Sequence, residues 1–185
     1  YEDTIKNDNN SSIKTKLDNW YKTNIEDAGY SSYIADSGFC NDRSIASDSV
    51  GVGANDGEST FYASRYRILN HAPVFICPNA NNDLFTLVGN TTGNASLTYP
   101  IGLITIDELA FAGASYGFLN KMSYTYSSQT YWSLSPFRFN APTSASSVWS
   151  ASGDGPLGVS NVSNSNGVRP VINLKADTEI SSGIG

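Results

Sequence analysis

Gly167-Val168-Arg169-Pro170-Val171-Ile172-Asn173-Leu174 reads as a short closing strand at 168–174, apolar and β-branched apart from Arg169. A guanidinium in such a strand is expected to be buried and bonded to carbonyls or a carboxylate, because an unpaired one would cost several kcal/mol. Toward the N-terminus, runs of the same kind lie at 147–150, 131–135, 123–126, 84–88, 73–77 and 67–69, separated by Gly-, Pro- and Asn-rich stretches.

Only two segments carry a helical period. Ile13, Leu17, Trp20, Tyr21 and Ile25 fall on one face, with Ser11 or Ser12 placed to cap it. Thr105-Ile106-Asp107-Glu108 has the capping-box pattern, and Gly113 is a natural stop; Ile106, Leu109, Ala110 and Phe111 would form its apolar side. Two helices with many short strands and long loops give an α+β fold, and without crossover helices the strands are mainly antiparallel. At 185 residues the chain reads as one domain, 1–185, with a polar lead-in at 1–10 and a tail at 176–185.

Composition narrows the partners. The net charge is −6 and the eleven Lys and Arg are scattered, which removes the electrostatic footprint that nucleic acid needs. Charged residues make up only 15% of the chain, below the roughly 25% of an average domain, and Ser, Asn, Thr, Gly and Tyr take their place. That is an extracellular or cell-surface composition. No apolar run approaches the roughly 18 residues of a membrane span, so no membrane insertion is expected. The start at Tyr1 reads as that of a mature or trimmed chain whose targeting segment lies upstream. Cys40 and Cys77 lack redox or zinc spacing; they form either one disulfide or two buried free thiols. A bond between them would contribute roughly 3 to 4 kcal/mol.

Catalytic signatures are weak. The only histidine, His71, has no nucleophile elbow around it, and the glycine-rich stretch 51–57 is not followed by the Lys-Ser or Lys-Thr of a phosphate cradle. Asp48, Asn55, Asp56 and Glu58 offer oxygen ligands that suit calcium but not at EF-hand spacing, so no metal and no cofactor is expected. Asp42 and Arg43 read as a buried polar staple, with Arg43 tying loop carbonyls or Asp42. Asp107 and Glu108 are explained by their place at a helix start, and Asp83 and Asp154 stand isolated in turns.

The region between Lys121 and Asn166 is different, because its aromatics sit among serines and asparagines with few charges, the mixture that paratopes favour. The expected ligand-binding residues are Tyr131, Phe137, Arg138, Phe139, Asn140, Trp149, Asn161, Asn164 and Asn166, clustered and exposed on one surface. The competing reading is that part of these aromatics, Trp132 and Trp149 above all, belongs to the core.

Three stretches, Tyr131-Trp132-Ser133-Leu134-Ser135-Pro136, Ser147-Val148-Trp149 and the closing Gly167 to Leu174 run, resemble the C-terminal part of C-type-lectin-like domains of the formylglycine-generating-enzyme type. Upstream, Leu17 to Tyr21, Phe39 to Ser44 and Tyr99 to Thr105 look like surface proteins of gut Firmicutes that carry this ending. The resemblance implies a C-type-lectin-like fold. It does not imply catalysis, since the enzymes use a pair of cysteines near the C-terminal end and no cysteine here lies beyond Cys77. The same scaffold serves ligand binding in the variable proteins of diversity-generating retroelements, which place Tyr, Asn, Ser and Trp just before the final strand. The implied function is therefore a non-catalytic receptor or adhesin for a protein or glycan ligand on another cell or surface. The alternative is a structural subunit, pilin-like or displayed on the cell wall.

Overall fold

The computed structural model describes residues 11–47, 49, 59–87, 92–140 and 146–179. The lead-in, the last residues of the tail and the calcium candidates Asp48, Asn55, Asp56 and Glu58 lie outside them.

The chain begins with α1 (Ser12–Tyr21), which runs into a π-helical turn (Lys22–Glu26). The side chain of Ser11 accepts the Lys14 amide and supplies the cap. Leu17, Tyr21 and Ile25 are buried at a spacing of four, and the wider π turn keeps Ile25 in line with the other two. Trp20 does not join them; it is exposed. There follow β1 (Ile34–Ala35), β2 (Phe39–Cys40), β3 (Ser59–Phe61), α2 (Ala63–Leu69), α3 (Ala80–Asp83), β4 (Leu84–Leu87), β5 (Asn94–Leu97), α4 (Ile106–Phe111), β6 (Tyr131–Asn140), β7 (Ser147–Ala151), β8 (Leu157–Asn161) and β9 (Asn173–Leu174). The capping box of α4 is formed, with Thr105 and Glu108 each holding the other's amide.

The class is α+β. The ladders are antiparallel except β4–β5, and they make a four-stranded sheet β3-β6-β7-β8, a three-stranded sheet β2-β4-β5 and the pair β1-β9. The four-stranded sheet divides the core. Trp132, Leu134 and Val148 pack with Leu17, Tyr21, Ile25, Ile34, Ile101 and Leu103. Their neighbours Tyr131 and Trp149, with Ala151 and Leu157, pack with Ile68 of α2 and Ile106 and Leu109 of α4. Alternation along a strand sends successive side chains to opposite faces, and here both faces are covered.

Several segments depart from the sequence reading. Residues 67–69 end helix α2, whose buried stripe is only Ser64 and Ile68, too narrow for its period to show. Residues 73–77 form no strand: the Val74 amide donates to the Asp107 carboxylate, and Cys77 is bonded to Cys40, their Cα atoms 5.7 Å apart. Residues 123–126 form turns, because Ser123 Oγ reaches the Ala112 carbonyl and pairs with Thr125 Oγ1 instead of leaving the backbone to a ladder. The closing run keeps strand structure only at Asn173–Leu174, with an isolated bridge from Val171 to Gly102. Pro170 has no amide to donate there.

Arg169 is exposed, not buried, which corrects the expectation drawn from its apolar neighbours. It does bond a carbonyl, that of Thr125 at 2.7 Å, and its guanidinium stands over the Tyr131 ring at 5.4 Å. One hydrogen bond and one cation–π contact at the surface are worth about 1 to 2 kcal/mol together. Arg169→Ala is therefore expected to lower the melting temperature by only a few degrees; a loss comparable to that of a core substitution would contradict this placement.

Candidate functional site

The strongest electrostatic feature joins four segments that are distant in sequence. Arg67 donates through Nε and Nη2 to both carboxylate oxygens of Asp107, at 2.8 and 2.9 Å, and through Nη1 to Asp42 at 2.8 Å. Beside it the Arg43 amide and Nε bond both oxygens of Asp83. Asp42, Asp83 and Asp107 are all buried. Burial works against the charge of Arg67, but the hydrogen bonds and attraction of Asp107 and Asp42 outweigh it, so its pKa is raised above the ordinary value. Arg43 thus pairs with Asp83 and not with Asp42, and it ties a loop carbonyl as expected, that of Asn82 at 3.3 Å; Asp83, read as isolated in a turn, is held by Arg43, and Asp107, at its helix start, is bonded to Arg67. With every group engaged, this network holds loops in place.

The expected ligand-binding residues separate into three groups. Phe137, Arg138, Phe139, Asn140, Asn161 and Asn164 come together at one end of the four-stranded sheet. Strand register sets Phe61, Arg138, Ser147 and Asn161 side by side across β3, β6, β7 and β8, with Phe139 opposite Thr60 and Asn140 opposite Ser59. Alternation along β6 puts Phe137 on the same face as Tyr131 and Trp149, its ring 4.9 Å from Trp149 and 5.7 Å from Phe61, and the register shift between Pro136 and Arg138 sets Arg138 opposite Ser147. Arg65 lies over Phe61 at 4.3 Å. Asn161 is exposed, accepts from Ser147 Oγ at 3.1 Å, and begins a turn closed by the Asn164 amide. Arg138 Nε is shielded from water and has no hydrogen-bond partner.

Tyr131 and Trp149 do not belong to an exposed face. They are 4% and 0% exposed; Tyr131 donates its hydroxyl to the Thr125 carbonyl and Trp149 its indole N–H to Ser64. Both are core aromatics whose polar atoms are satisfied inside the protein. Asn166 stands apart for another reason. It precedes Gly167, which bridges to Tyr131 at the far end of β6, about 20 Å from Arg138 at strand rise. The buried Nδ2 of Asn166 also lacks a partner.

An apolar surface that the sequence did not single out lies near the C-terminal end of α4. Phe111 stacks on Phe75 at 3.8 Å, and Ile76, Phe118, Leu119, Met122 and Tyr124 are exposed. The segment after α4 folds back on the helix end, where Asn120 donates to the Gly113 carbonyl. Its aperiodic apolar run, Phe118-Leu119 and Met122, was the available signal. Close by, Ile68, His71, Pro73, Ala110, Gly113, Ala114, Ser115, Tyr116 and Leu157 line an open groove of about 270 Å³.

Among the described residues no cluster of three or more His, Cys, Asp or Glu could hold a metal ion. No helix among them is long and apolar enough to cross a membrane. No family model matches this chain, and no curated protein or solved structure matches it significantly.

Proposed function

We propose that the chain is a non-catalytic ligand-binding domain of the receptor or adhesin kind, presented outside the cell, which takes a protein or glycan ligand at the sheet end around Arg138. The observation that carries this is the half-buried Arg138 at the sheet end, with Phe137 and Phe139 beside it in β6 and the exposed Asn161 in register with it two strands away. A guanidinium beside aromatic area and amide groups is the mixture that binding hot spots use. The contact set is Phe137, Arg138, Phe139, Asn140, Asn161 and Asn164. The fold we assign is the C-type-lectin-like one, in keeping with the three resembling stretches forming β6, β7 and the closing segment. Low charge and the Cys40–Cys77 bond are in keeping with an oxidising compartment. Within this reading the chain is a diversity-generating-retroelement variable protein, and a reverse transcriptase gene beside a near-copy of the C-terminal coding region is the expected neighbourhood.

The test is a glycan and protein array probed with the purified domain, followed by Arg138→Ala on the ligand found. Loss of about 2 kcal/mol of binding, some thirtyfold, with little change in melting temperature is the expected result. Undiminished binding by Arg138→Ala rejects the site. A second reading, a structural subunit of pilin-like or cell-wall display type, is favoured by the exposed Phe75, Ile76, Phe118, Leu119 and Met122. Reversible self-association of the purified domain, abolished by Phe118→Ser, would support that reading over the first.

A further inference from the structure

We propose that the groove between the C-terminal ends of α2 and α4 binds a small aromatic ring carrying a hydrogen-bond donor, of the phenol or indole class. This site is separate from the one around Arg138. Both helices end in the same way. In α4 the Gly113 amide bonds the Ala110 carbonyl and the Ala114 amide that of Leu109; in α2 the His71 amide bonds the Ile68 carbonyl and the Ala72 amide that of Arg67. Each cap needs a residue in the left-handed region. Gly113, at φ 89°, occupies that position in α4, and His71, at φ 54°, occupies it in α2. Glycine takes this conformation without cost and a residue with a β-carbon does not. The histidine is thus held in a conformation its side chain disfavours, and that side chain lines the groove.

The rest of the lining defines the ligand. Ile68 and Leu157 are buried and, with Ala110, Ala114 and Pro73, give the groove apolar walls. Ser115 and Tyr116 add hydroxyls to the His71 imidazole, and none of these three side chains has a hydrogen-bond partner among the described residues. The Tyr116 ring is held edge-on to Trp149 at 5.7 Å. At about 270 Å³ the groove is smaller than the roughly 300 to 1,000 Å³ of drug-sized pockets, which suits a single ring or a fused pair. The imidazole and the two hydroxyls can each exchange a hydrogen bond with a polar group on the ring. That favours phenol or indole over a bare hydrocarbon ring.

The ring's source is either a free small molecule or a tyrosine or tryptophan side chain. The test is an NMR titration of the full chain with phenol, indole, N-acetyltryptophan amide and benzene. Saturable shifts at His71 and at Gly113 to Tyr116 are expected for phenol and indole at millimolar concentration or below, with benzene at least tenfold weaker. Binding of the amide as tight as that of indole identifies a side-chain source, and weaker binding a free one. His71→Gly should keep or raise the melting temperature while weakening indole at least tenfold. Arg138→Ala should bind indole as the parent does, which separates this site from the proposed receptor face. The inference is overturned if those amides show no saturable shift, if benzene binds as well as phenol, if His71→Gly binds indole as the parent does, or if it melts lower.

Discussion

Trp149→Ala is expected to lower the unfolding free energy by about 3 to 5 kcal/mol, a fall in melting temperature on the order of 10 °C. The indole is fully buried, meets Phe137 and Tyr116 edge-to-face at 4.9 and 5.7 Å, and donates to Ser64 Oγ at 3.2 Å. Ser64 in turn donates to the Pro136 carbonyl, so removing the indole opens a cavity and takes a donor from a buried hydroxyl that links α2 to β6. Trp149→Phe keeps one ring in place but loses the hydrogen bond and part of the indole's packing, which should cost about 1 to 3 kcal/mol, less than Trp149→Ala. Chemical denaturation of both variants checks this. Were Trp149→Ala to fold as stably as the parent while losing ligand, the residue would return to the binding face from which its burial removes it.

That a tryptophan expected on the surface lies in the core has a physical reason. Low charge and a Tyr-Ser-Asn-Trp mixture mark a surface only if the serines are in water. Ser133, Ser135, Ser147 and Ser150 are each 2% exposed. Ser133 Oγ donates to the Trp149 carbonyl, and Ser135 Oγ accepts the Ile106 amide at the start of α4. A small hydroxyl that bonds backbone can be buried at little cost, so composition could not tell a wet strand from a dry one. What was legible was local: the α1 face at Leu17, Tyr21 and Ile25, the capping box of α4 and the strands at 131–135 and 147–150. Of the residues expected to bind a ligand, those at the Arg138 end were placed together by strand register, which pairs β3 and β6 across a sequence gap that no period spans.

Arg67→Ala is expected to cost about 3 to 5 kcal/mol, because it leaves the buried carboxylates of Asp42 and Asp107 without their counter-charge. These pairs join residues 25 and 40 positions apart, which is why nothing local in the sequence revealed them. Arg67→Lys should recover little, since one ammonium cannot reproduce the fork that grips both oxygens of Asp107 while reaching Asp42. The two carboxylates have further work: Asp42 accepts the Ser44 amide and Asp107 the Val74 amide, which fixes the segment leading to the Cys77 bond. Asparagine keeps that acceptor and removes the charge. If buried charge without compensation is the cause of the loss, then Arg67→Met combined with Asp42→Asn and Asp107→Asn should regain most of it. If instead the ion pairs themselves supply the stability, the triple variant will be no better than Arg67→Ala. Urea denaturation midpoints decide between the two, and an Arg67→Ala protein within about 1 kcal/mol of the parent would refute the buried-network account altogether.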